Sequence, residues 1–285
     1  MKSAKVLREL GHDVEIVANK DRYKWDKHPK VIKKIPKNAD AVIAISASDV
    51  KHVLKHSPSK AKKLWWMRGW ETWQMPESKL IKRAKSIRVI TNAGWLKTRL
   101  GMEGVSAEVV YAGMDEWENL ELRKPGKIRI GCLYNKRPTK HWDDFVRLSS
   151  ELGHREYEYV AFGVDKRPSL WLEEYVQNAS HQDLEELYSS CHVWFSPSTL
   201  EGFHQVPAEA NLCGCLVAAR HCDSGGTRDY CNSITGITWP TIRYAAQAIQ
   251  EADFNKIHRM QLVLLTKIGG REANMMRLEE ILSGC

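Results

Sequence analysis

The sequence has 285 residues, of which 43% are hydrophobic, with 43 Lys and Arg against 35 Asp and Glu, giving a formal net charge of +8. Two domains of about 125 to 160 residues fit this length. No apolar run approaches the roughly 20 residues that a transmembrane helix needs. The amino terminus, M-K-S-A-K-V-L-R-E-L, has an amphipathic helical pattern without a signal-peptide core. We therefore expect a cytoplasmic protein, with no membrane-spanning segment.

The basic residues are unevenly distributed. Residues 1–125 carry 26 Lys and Arg against 15 Asp and Glu, whereas the remainder carries 17 against 20. An excess of this kind indicates an acidic partner, either anionic lipid or an anionic acceptor, with nucleic acid as a further option. A solvated surface is the alternative interpretation.

The seven cysteines all lie beyond residue 130 and lack paired C-x-x-C spacing. Cys213 and Cys215 flank a glycine at a predicted helix end, where small apolar residues are favoured. The pattern predicts reduced structural thiols rather than zinc ligands or disulfides.

The first half alternates predicted strands and helices. The strand from Asp13 to Ala18 is expected to pair directly with residues Ala41–Ser46 of the next long strand. The predicted elements are a helix at 3–10, strand Asp13–Ala18, a minor strand Val31–Ile32, strand Ala39–Ser46, helix Ser48–His56, strand Leu64–Met67, helix Pro76–Lys85, strand Ile87–Thr91, a helix from Asn92 as its cap through Leu100, and strand Ala107–Tyr111.

A tryptophan-rich stretch covers residues 62–73, K-K-L-W-W-M-R-G-W-E-T-W. Its four tryptophans could form core or an exposed aromatic lip, and core is the prediction for Trp65 and Trp66. Arg68 and Glu71 follow a predicted strand at its carboxyl end, where parallel sheets bind ligands. A local ion pair is the alternative for these two residues.

Residues 115–126 are acidic, end in Pro125-Gly126 and predict a linker. The second half repeats the strand and helix alternation. Its predicted elements are strand Ile128–Leu133, helix Trp142–Leu152, strand Tyr157–Phe162, strand Val193–Phe195, a helix from near Pro207 to Cys213, strand Leu216–Ala219, helix Thr241–Ala252 and helix Lys256–Leu282.

Two carboxylates lie eight residues apart between the strands of this half, Glu201 in a loop and Glu209 in the first turn of a helix. Both should face the ligand crevice together with the backbone N–H groups of Gly202, Phe203 and His204. A carboxylate can bind a diol and the N–H groups can hold an anion, a combination that suits a nucleotide-sugar. Alternatively, Glu209 only complements a helix dipole and Glu201 is solvated.

The segment P-S-x-x-E-G-F-x-x-x-P-x-E-A-x-x-C-G, residues 197–214, resembles the donor-site signature of retaining, family-4-type glycosyltransferases of the GT-B fold. The lines V-V-Y-A-G-M-D and D-L-E-E-L-Y-S-S-C-H-V-W-F-S-P-S are also similar to that family. The resemblance implies that Glu209 binds the nucleotide ribose and that Glu201 lies against the donor sugar and its phosphate. It implies an α/β fold of two Rossmann-like domains that face a cleft.

The resemblance also implies cationic groups for the donor pyrophosphate. Lys140 matches the lysine of the family, but Tyr134 occupies the place of its arginine. Lys136 and Arg137 are therefore candidates for the second charge. Two further donor-binding candidates are Gly225 and Gly226, which follow the predicted strand at 216–219. Because glycine has no Cβ, backbone amides there can approach a phosphate or sugar closely.

The expected domains are residues 1–124, which bind the acceptor, residues 127–260, which bind the donor, and a carboxyl helix at 261–285 that packs back on the first domain. Family members open with a strand and a glycine-rich loop, and Met1 falls after both. The first domain is therefore expected to lack its usual first strand.

The function that the resemblance implies is metal-independent transfer, with retention, of a hexosyl or deoxyhexosyl group to a hydroxyl. Glu201, Lys140 and Arg137 are the expected catalytic groups, and Arg68 and Glu71 are the acceptor-site candidates. No metal or other cofactor is expected. The expected partners are a nucleotide-sugar, a glycan or lipid-linked acceptor and an anionic membrane surface, but not nucleic acid. The alternative is a nucleotide-sugar-binding protein without transferase activity.

Overall fold

The computed structural model of the protein describes residues 2–18, 30–222 and 225–284. It divides into two compact units. The first comprises Met1–Gly113 and Gly269–Cys285, and the second comprises Met114–Ile268. Both are α/β units built on parallel sheets, as the sequence predicts.

The elements follow one another in the order expected from the sequence, with three additional elements, the short strands β9 and β12 and the helix α6. Up to residue 113 they are α1 (Lys2–Glu9), β1 (Ile16–Val17), β2 (Val31–Ile32), β3 (Ala41–Ala44), α2 (Val50–His56), β4 (Lys62–Met67), α3 (Glu77–Ala84), β5 (Arg88–Thr91), α4 (Gly94–Met102) and β6 (Ala107–Val109). Beyond it they are β7 (Ile128–Tyr134), α5 (Trp142–Leu152), β8 (Tyr157–Gly163), β9 (Glu174–Gln177), α6 (His181–Ser190), β10 (Val193–Ser196), α7 (Gln205–Leu212), β11 (Leu216–Arg220), β12 (Ile237–Trp239), α8 (Ile242–Gln250), α9 (Lys256–Val263) and α10 (Arg271–Ser283).

The main sheet of the first unit has four parallel strands in the order β3-β4-β5-β6. Successive side chains of β4 point to opposite faces, so Trp65 and Met67 join a core with α2, α3 and α4. Leu64 and Trp66 join a second core with α10, and α1 packs beside it. Trp65 is 0% and Trp66 7% exposed, which confirms the prediction that both are core residues.

The predicted pairing of the strand after α1 with β3 is wrong. Ile16 and Val17 pair instead with Val31 and Ile32, in a separate two-stranded parallel sheet. The residues at 31–32 offer an apolar partner much nearer in sequence, and closing the shorter loop costs less entropy. The lysine-rich segment at 19–29 lies outside the described residues.

The sheet of the second unit has the order β12-β11-β10-β7-β8-β9, and every neighbouring pair is parallel. From β7 the chain builds outward through β8 and β9, then returns to add β10 on the other side of β7. The reversal of strand order therefore falls between β7 and β10. In open α/β sheets, ligands bind beyond the carboxyl ends of the strands at such a point.

Most helix boundaries differ from the prediction by one or two residues, and two of the differences change how an element is described. Ala93, not Asn92, precedes the first turn of α4, and Asn92 is buried with no side-chain cap on that helix. The single long helix expected from Lys256 to Leu282 is divided by Gly269, which has φ +72°, after a π-helical turn at Leu264–Ile268. A residue in this left-handed region ends a helix.

The segment after this break is held tightly within the first unit. A Cβ at Gly113 would lie 2.3 Å from the Cα atom of Arg271. The Arg271 guanidinium donates a hydrogen bond of 2.7 Å to the carbonyl of Ala112. Only glycine permits this backbone approach, which places the start of α10 against the end of the segment that follows β6.

Residues 114–124, which the sequence assigned to the first domain, belong to the second unit. Arg123 donates hydrogen bonds to the carbonyls of Cys191 and Cys213, at 2.7 and 2.9 Å, and the N–H of Leu120 donates to Ser189. These bonds bind the segment to the elements around α6 and α7. Across the described ranges, no helix is long and apolar enough to cross a membrane.

Candidate functional site

The candidate site lies at the carboxyl ends of β7 and β10, where the strand order of the second unit reverses. The loop after β7 carries Lys140 in a short 3-10 turn, Pro138–Lys140. The loop after β10 carries Glu201 and leads into α7. A hydrogen bond of 3.0 Å from the N–H of Thr199 to the carbonyl of Thr139 joins the two loops.

Lys140 and Glu201 form an ion pair in which the ammonium donates to Oε1 of the carboxylate. Both side chains are mostly buried, at 18% and 15% exposure. The hydroxyl of Ser198 also donates to Glu201 Oε1, at 2.6 Å, and is itself 3.2 Å from the carbonyl oxygen of Thr139. Ser198 stands in the P-S pair of the motif, and no role was predicted for it from the sequence.

The pKa of Glu201 reflects this arrangement. Burial raises the pKa, but the charge of Lys140, hydrogen bonds from Lys140 and Ser198, and the charge that His204 carries in acid, where its ring is protonated, outweigh it. The pKa is therefore below the ordinary value for glutamate. The site holds a carboxylate and an ammonium side by side at neutral pH.

His204 lies at the amino end of α7 in the left-handed region, with φ +58°. Its buried ring places Nδ1 3.3 Å from the hydroxyl of Ser196 and Nε2 3.7 Å from Glu201 Oε1. Burial lowers the pKa of His204 to about 4, and the charge of Lys140 acts in the same direction. The imidazole is therefore neutral at physiological pH.

Glu209 lies in the second turn of α7, not the first, because the helix begins at Gln205. Burial raises the pKa of the phenols of Tyr188 and Tyr230. The negative charge of Glu209 raises both pKa values further. The hydroxyl of Tyr230 donates a hydrogen bond of 2.6 Å to the carbonyl of His204. Glu209 is thus near the base of the loop that carries His204.

Gly226 packs directly against the loop that carries Glu201. A Cβ on Gly226 would lie 2.4 Å from the carbonyl oxygen of Gly202 and 2.7 Å from the carbonyl carbon of Phe203. Gly225 precedes it, with Cys222 as its nearest neighbour. Gly226 is therefore needed for close contact between two loops, whereas Gly225 is crowded by Cys222 of its own loop. Ser224, which precedes Gly225 in the sequence, lies outside the described residues.

The two candidates for a second cation are more peripheral. Lys136 is exposed and its ammonium is 3.7 Å from a carboxylate oxygen of Asp165. Arg137 is exposed, and its backbone N–H donates to the side chain of Asn135 at 2.9 Å. Of the three basic candidates, only Lys140 is bonded to Glu201 in the structure.

In the first unit, Arg68 and Glu71 follow β4, as predicted. Glu71 is 4% exposed and accepts a hydrogen bond of 2.6 Å from the N–H of Ala47, in the segment after β3. Burial raises the pKa of Glu71, while the exposed Arg68 acts to lower it. Glu71 therefore links the segments that follow β3 and β4.

Comparison with known proteins gives structural matches alone. No protein-family model and no curated protein matches the sequence. Sucrose-phosphate synthase from Thermosynechococcus elongatus is similar, with a TM-score of 0.76 and 16% identity over 99% of this chain and 91% of that one. A glycosyltransferase from Rickettsia africae has a TM-score of 0.72 and 16% identity over 99% and 93% of the two chains.

A third similar structure is Anabaena HepE in complex with UDP-glucose, with a TM-score of 0.70 and 16% identity over 86% of this chain and 79% of that one. These similarities extend over most of each chain, so they concern the fold as a whole. The protein has the GT-B fold of nucleotide-sugar glycosyltransferases.

Proposed function

We propose that this protein is a glycosyltransferase that moves a sugar from a nucleotide-diphosphate-sugar to a hydroxyl acceptor. The observation that carries the proposal is the buried Lys140–Glu201 ion pair at the strand-order reversal of the second unit. That is the ligand position of open α/β sheets. The similar HepE structure contains UDP-glucose.

The donor would be held by charge and hydrogen bonding. An ammonium has three donors, so Lys140 can remain bonded to Glu201 and also donate to a phosphate oxygen. The amino end of α7 adds N–H groups and a positive partial charge. Arg137 and Lys136, in the exposed loop before α5, would supplement this charge, and Glu209 would accept hydrogen bonds from the ribose hydroxyls.

We propose that transfer retains the anomeric configuration and needs no metal. Lys140 and the amino end of α7 would stabilise negative charge that develops on the leaving diphosphate. The Glu201 carboxylate, ionised because its pKa is low, would stabilise positive charge at the anomeric carbon. The leaving phosphate would take the proton of the acceptor hydroxyl on the same face of the sugar.

The acceptor would be a glycan or a lipid-linked molecule reached at an anionic membrane surface. Helices α2, α3 and α4 pack on one face of the first unit's sheet, and their outward side chains include exposed lysines. These lysines are Lys51, Lys55, Lys79, Lys82 and Lys97. Each basic residue near an anionic bilayer contributes about 1 kcal/mol.

The test is a screen of UDP-, GDP-, ADP- and dTDP-sugars by thermal shift, followed by incubation with the stabilising donor alone. A bound donor adds RT ln(1 + [L]/Kd) to the free energy of unfolding and so raises the unfolding temperature. We expect slow donor hydrolysis that Glu201→Ala abolishes. Stabilisation without hydrolysis or transfer would favour a binding protein without activity, and no stabilisation by any donor would contradict the proposal.

A further inference from the structure

Trp73 is the exposed member of the tryptophan-rich stretch. Trp65, Trp66 and Trp70 are at most 7% exposed, whereas Trp73 is 60% exposed in the loop between β4 and α3. Within the described ranges its indole has no hydrogen-bond partner and no ring contact. The protein thus leaves a large aromatic surface open at this position.

The loop that carries Trp73 is anchored on its amino-terminal side. The buried Trp70 donates a hydrogen bond of 2.8 Å to Glu77, and the guanidinium of Arg99 lies 5.4 Å from the centre of its ring. The carboxylate of Glu71 accepts the N–H of Ala47 at 2.6 Å. Two buried residues therefore fix the backbone just before the exposed ring.

The ring itself rests on the backbone at Gly69. A Cβ at Gly69 would lie 3.1 Å from Cη2 and 3.9 Å from Cζ3 of Trp73. The edge of the indole therefore occupies space that a side chain at Gly69 would fill. A supported ring loses little conformational freedom when a ligand packs on it.

The surroundings of the ring are polar and lie at the ligand-binding edge of a sheet. Trp73 follows the carboxyl end of β4, and ligands of parallel sheets lie beyond such ends. Thr72 and Gln74 on either side are exposed, and so is Arg68. These groups offer hydrogen-bond donors and acceptors around one apolar surface.

We propose that Trp73 is a stacking platform for a pyranose ring of an oligosaccharide. One face of a pyranose carries C–H groups that pack on the electron-rich face of an indole, while its hydroxyls project outward to polar neighbours. The exposed side chains of Gln74 and Arg68, near Trp73 in the sequence, would bind those hydroxyls. The idea that this sugar is the acceptor rests on the proposed function, whereas the binding of a sugar by Trp73 does not.

The polar setting favours a sugar over an acyl chain. Side chains that insert into a bilayer occur with other apolar groups, but both sequence neighbours of Trp73 are polar. Ile45, which follows β3, the strand next to β4, is 53% exposed and is likewise flanked by no exposed apolar neighbour in sequence. A single ring with hydrogen-bonding groups beside it matches a carbohydrate.

The test uses the full chain and saturation-transfer difference NMR with maltohexaose, cellohexaose and chitohexaose. We expect one of them to receive saturation from the wild type, Trp73→Ala to weaken its binding about tenfold, and Trp73→Phe to retain most of it. Trp171→Ala is the matched control, because Trp171 is 56% exposed but lies in the second unit. It should bind like the wild type.

Three results would overturn the inference. The first is that no oligosaccharide receives saturation from the protein, and the second is that Trp171→Ala weakens oligosaccharide binding as much as Trp73→Ala does. The third is that Trp73→Ala loses binding to phosphatidylglycerol vesicles while its oligosaccharide binding is unchanged. Donor stabilisation in the thermal-shift assay separates this from the proposed function. If nucleotide-sugars stabilise the protein but no oligosaccharide binds, the platform is wrong and the donor site stands. If oligosaccharide binds but no donor does, the platform stands and the transferase proposal fails.

Discussion

Lys140 and Glu201, 61 residues apart in the sequence, form an ion pair where the strand order of the second unit reverses. Neither side chain is more than 18% exposed, so each charge depends on the other for solvation. Ser198 adds a hydrogen bond to the same carboxylate oxygen. The pair therefore couples the stability of the second unit to the chemistry proposed for it.

Changing one member of the pair should cost stability as well as activity. Glu201→Ala leaves the Lys140 ammonium partly buried without its carboxylate, and we expect a loss on the order of 2 kcal/mol in the free energy of unfolding. The double variant Lys140→Met with Glu201→Gln should recover part of this loss, yet remain inactive. Urea denaturation and the donor hydrolysis assay measure both effects. A double variant less stable than Glu201→Ala would contradict the coupling.

Glu209 should contribute to donor affinity without being needed for folding. If its carboxylate accepts both ribose hydroxyls, Glu209→Ala should lose on the order of 2–3 kcal/mol of donor binding, the range for hydrogen bonds to a charged group. Isothermal titration with the nucleoside diphosphate checks this. Glu186→Ala, an exposed change on α6, is the control. Unchanged affinity in the Glu209 variant would refute its role at the ribose.

His204 should make the protein less stable in mild acid. Its pKa in the folded state is about 4, so the unfolded chain binds more protons between the ordinary histidine value, about 6.5, and that pH. Stability should therefore fall as the pH decreases through this range, by on the order of 3 kcal/mol. Glu201, whose pKa is lowered, adds a loss only at lower pH.

His204→Asn tests this, because asparagine tolerates the left-handed backbone at this position. The variant should lose less stability than the wild type between pH 6.5 and pH 4. His258→Asn, a change at an exposed histidine on α9, should behave like the wild type. Identical pH profiles for all three proteins, measured by thermal unfolding, would show that His204 is not the group responsible.

Gly226 should tolerate no side chain. The Cβ of Gly226→Ala would lie 2.4 Å from the carbonyl oxygen of Gly202, so one of the two loops must move. We expect a lower unfolding temperature and weaker donor binding, since the loop that moves carries Glu201. Gly126→Ala has open space around the new atom and serves as a steric control, although its positive φ adds strain. Unchanged donor binding by the Gly226 variant would show that the loop contact is dispensable.

The basic helices of the first unit should bind anionic bilayers reversibly. Lys51→Glu with Lys55→Glu reverses two charges on α2 and should abolish co-sedimentation with phosphatidylglycerol vesicles at low salt. Wild-type binding should itself disappear at high ionic strength. Lys124→Glu with Lys166→Glu makes the same charge change in the second unit. If the wild type ignores the vesicles at low salt, the lysines are only a solvated face.

The sequence by itself determined the parallel α/β architecture and most of its elements. Buried strands such as Val193–Ser196 are short apolar runs, and helix α5 was predicted with its observed bounds, Trp142–Leu152, because these patterns depend on residues close together in the chain. The spacing of Glu201 and Glu209, and the glycines after β11, are local features of the same kind. They were sufficient to indicate a donor site.

Only the tertiary structure decided which of these residues meet. Ser198 and Lys140 contact one carboxylate oxygen because β7 and β10 are neighbours in the sheet, a pairing that no local pattern encodes. The strand at Ile16–Val17 pairs with a different strand from the expected one for the same reason, because pairing depends on which distant segments are available to form hydrogen bonds. Likewise, burial separates Trp73 from the other tryptophans of its stretch, since exposure depends on what packs above a side chain and not on its identity.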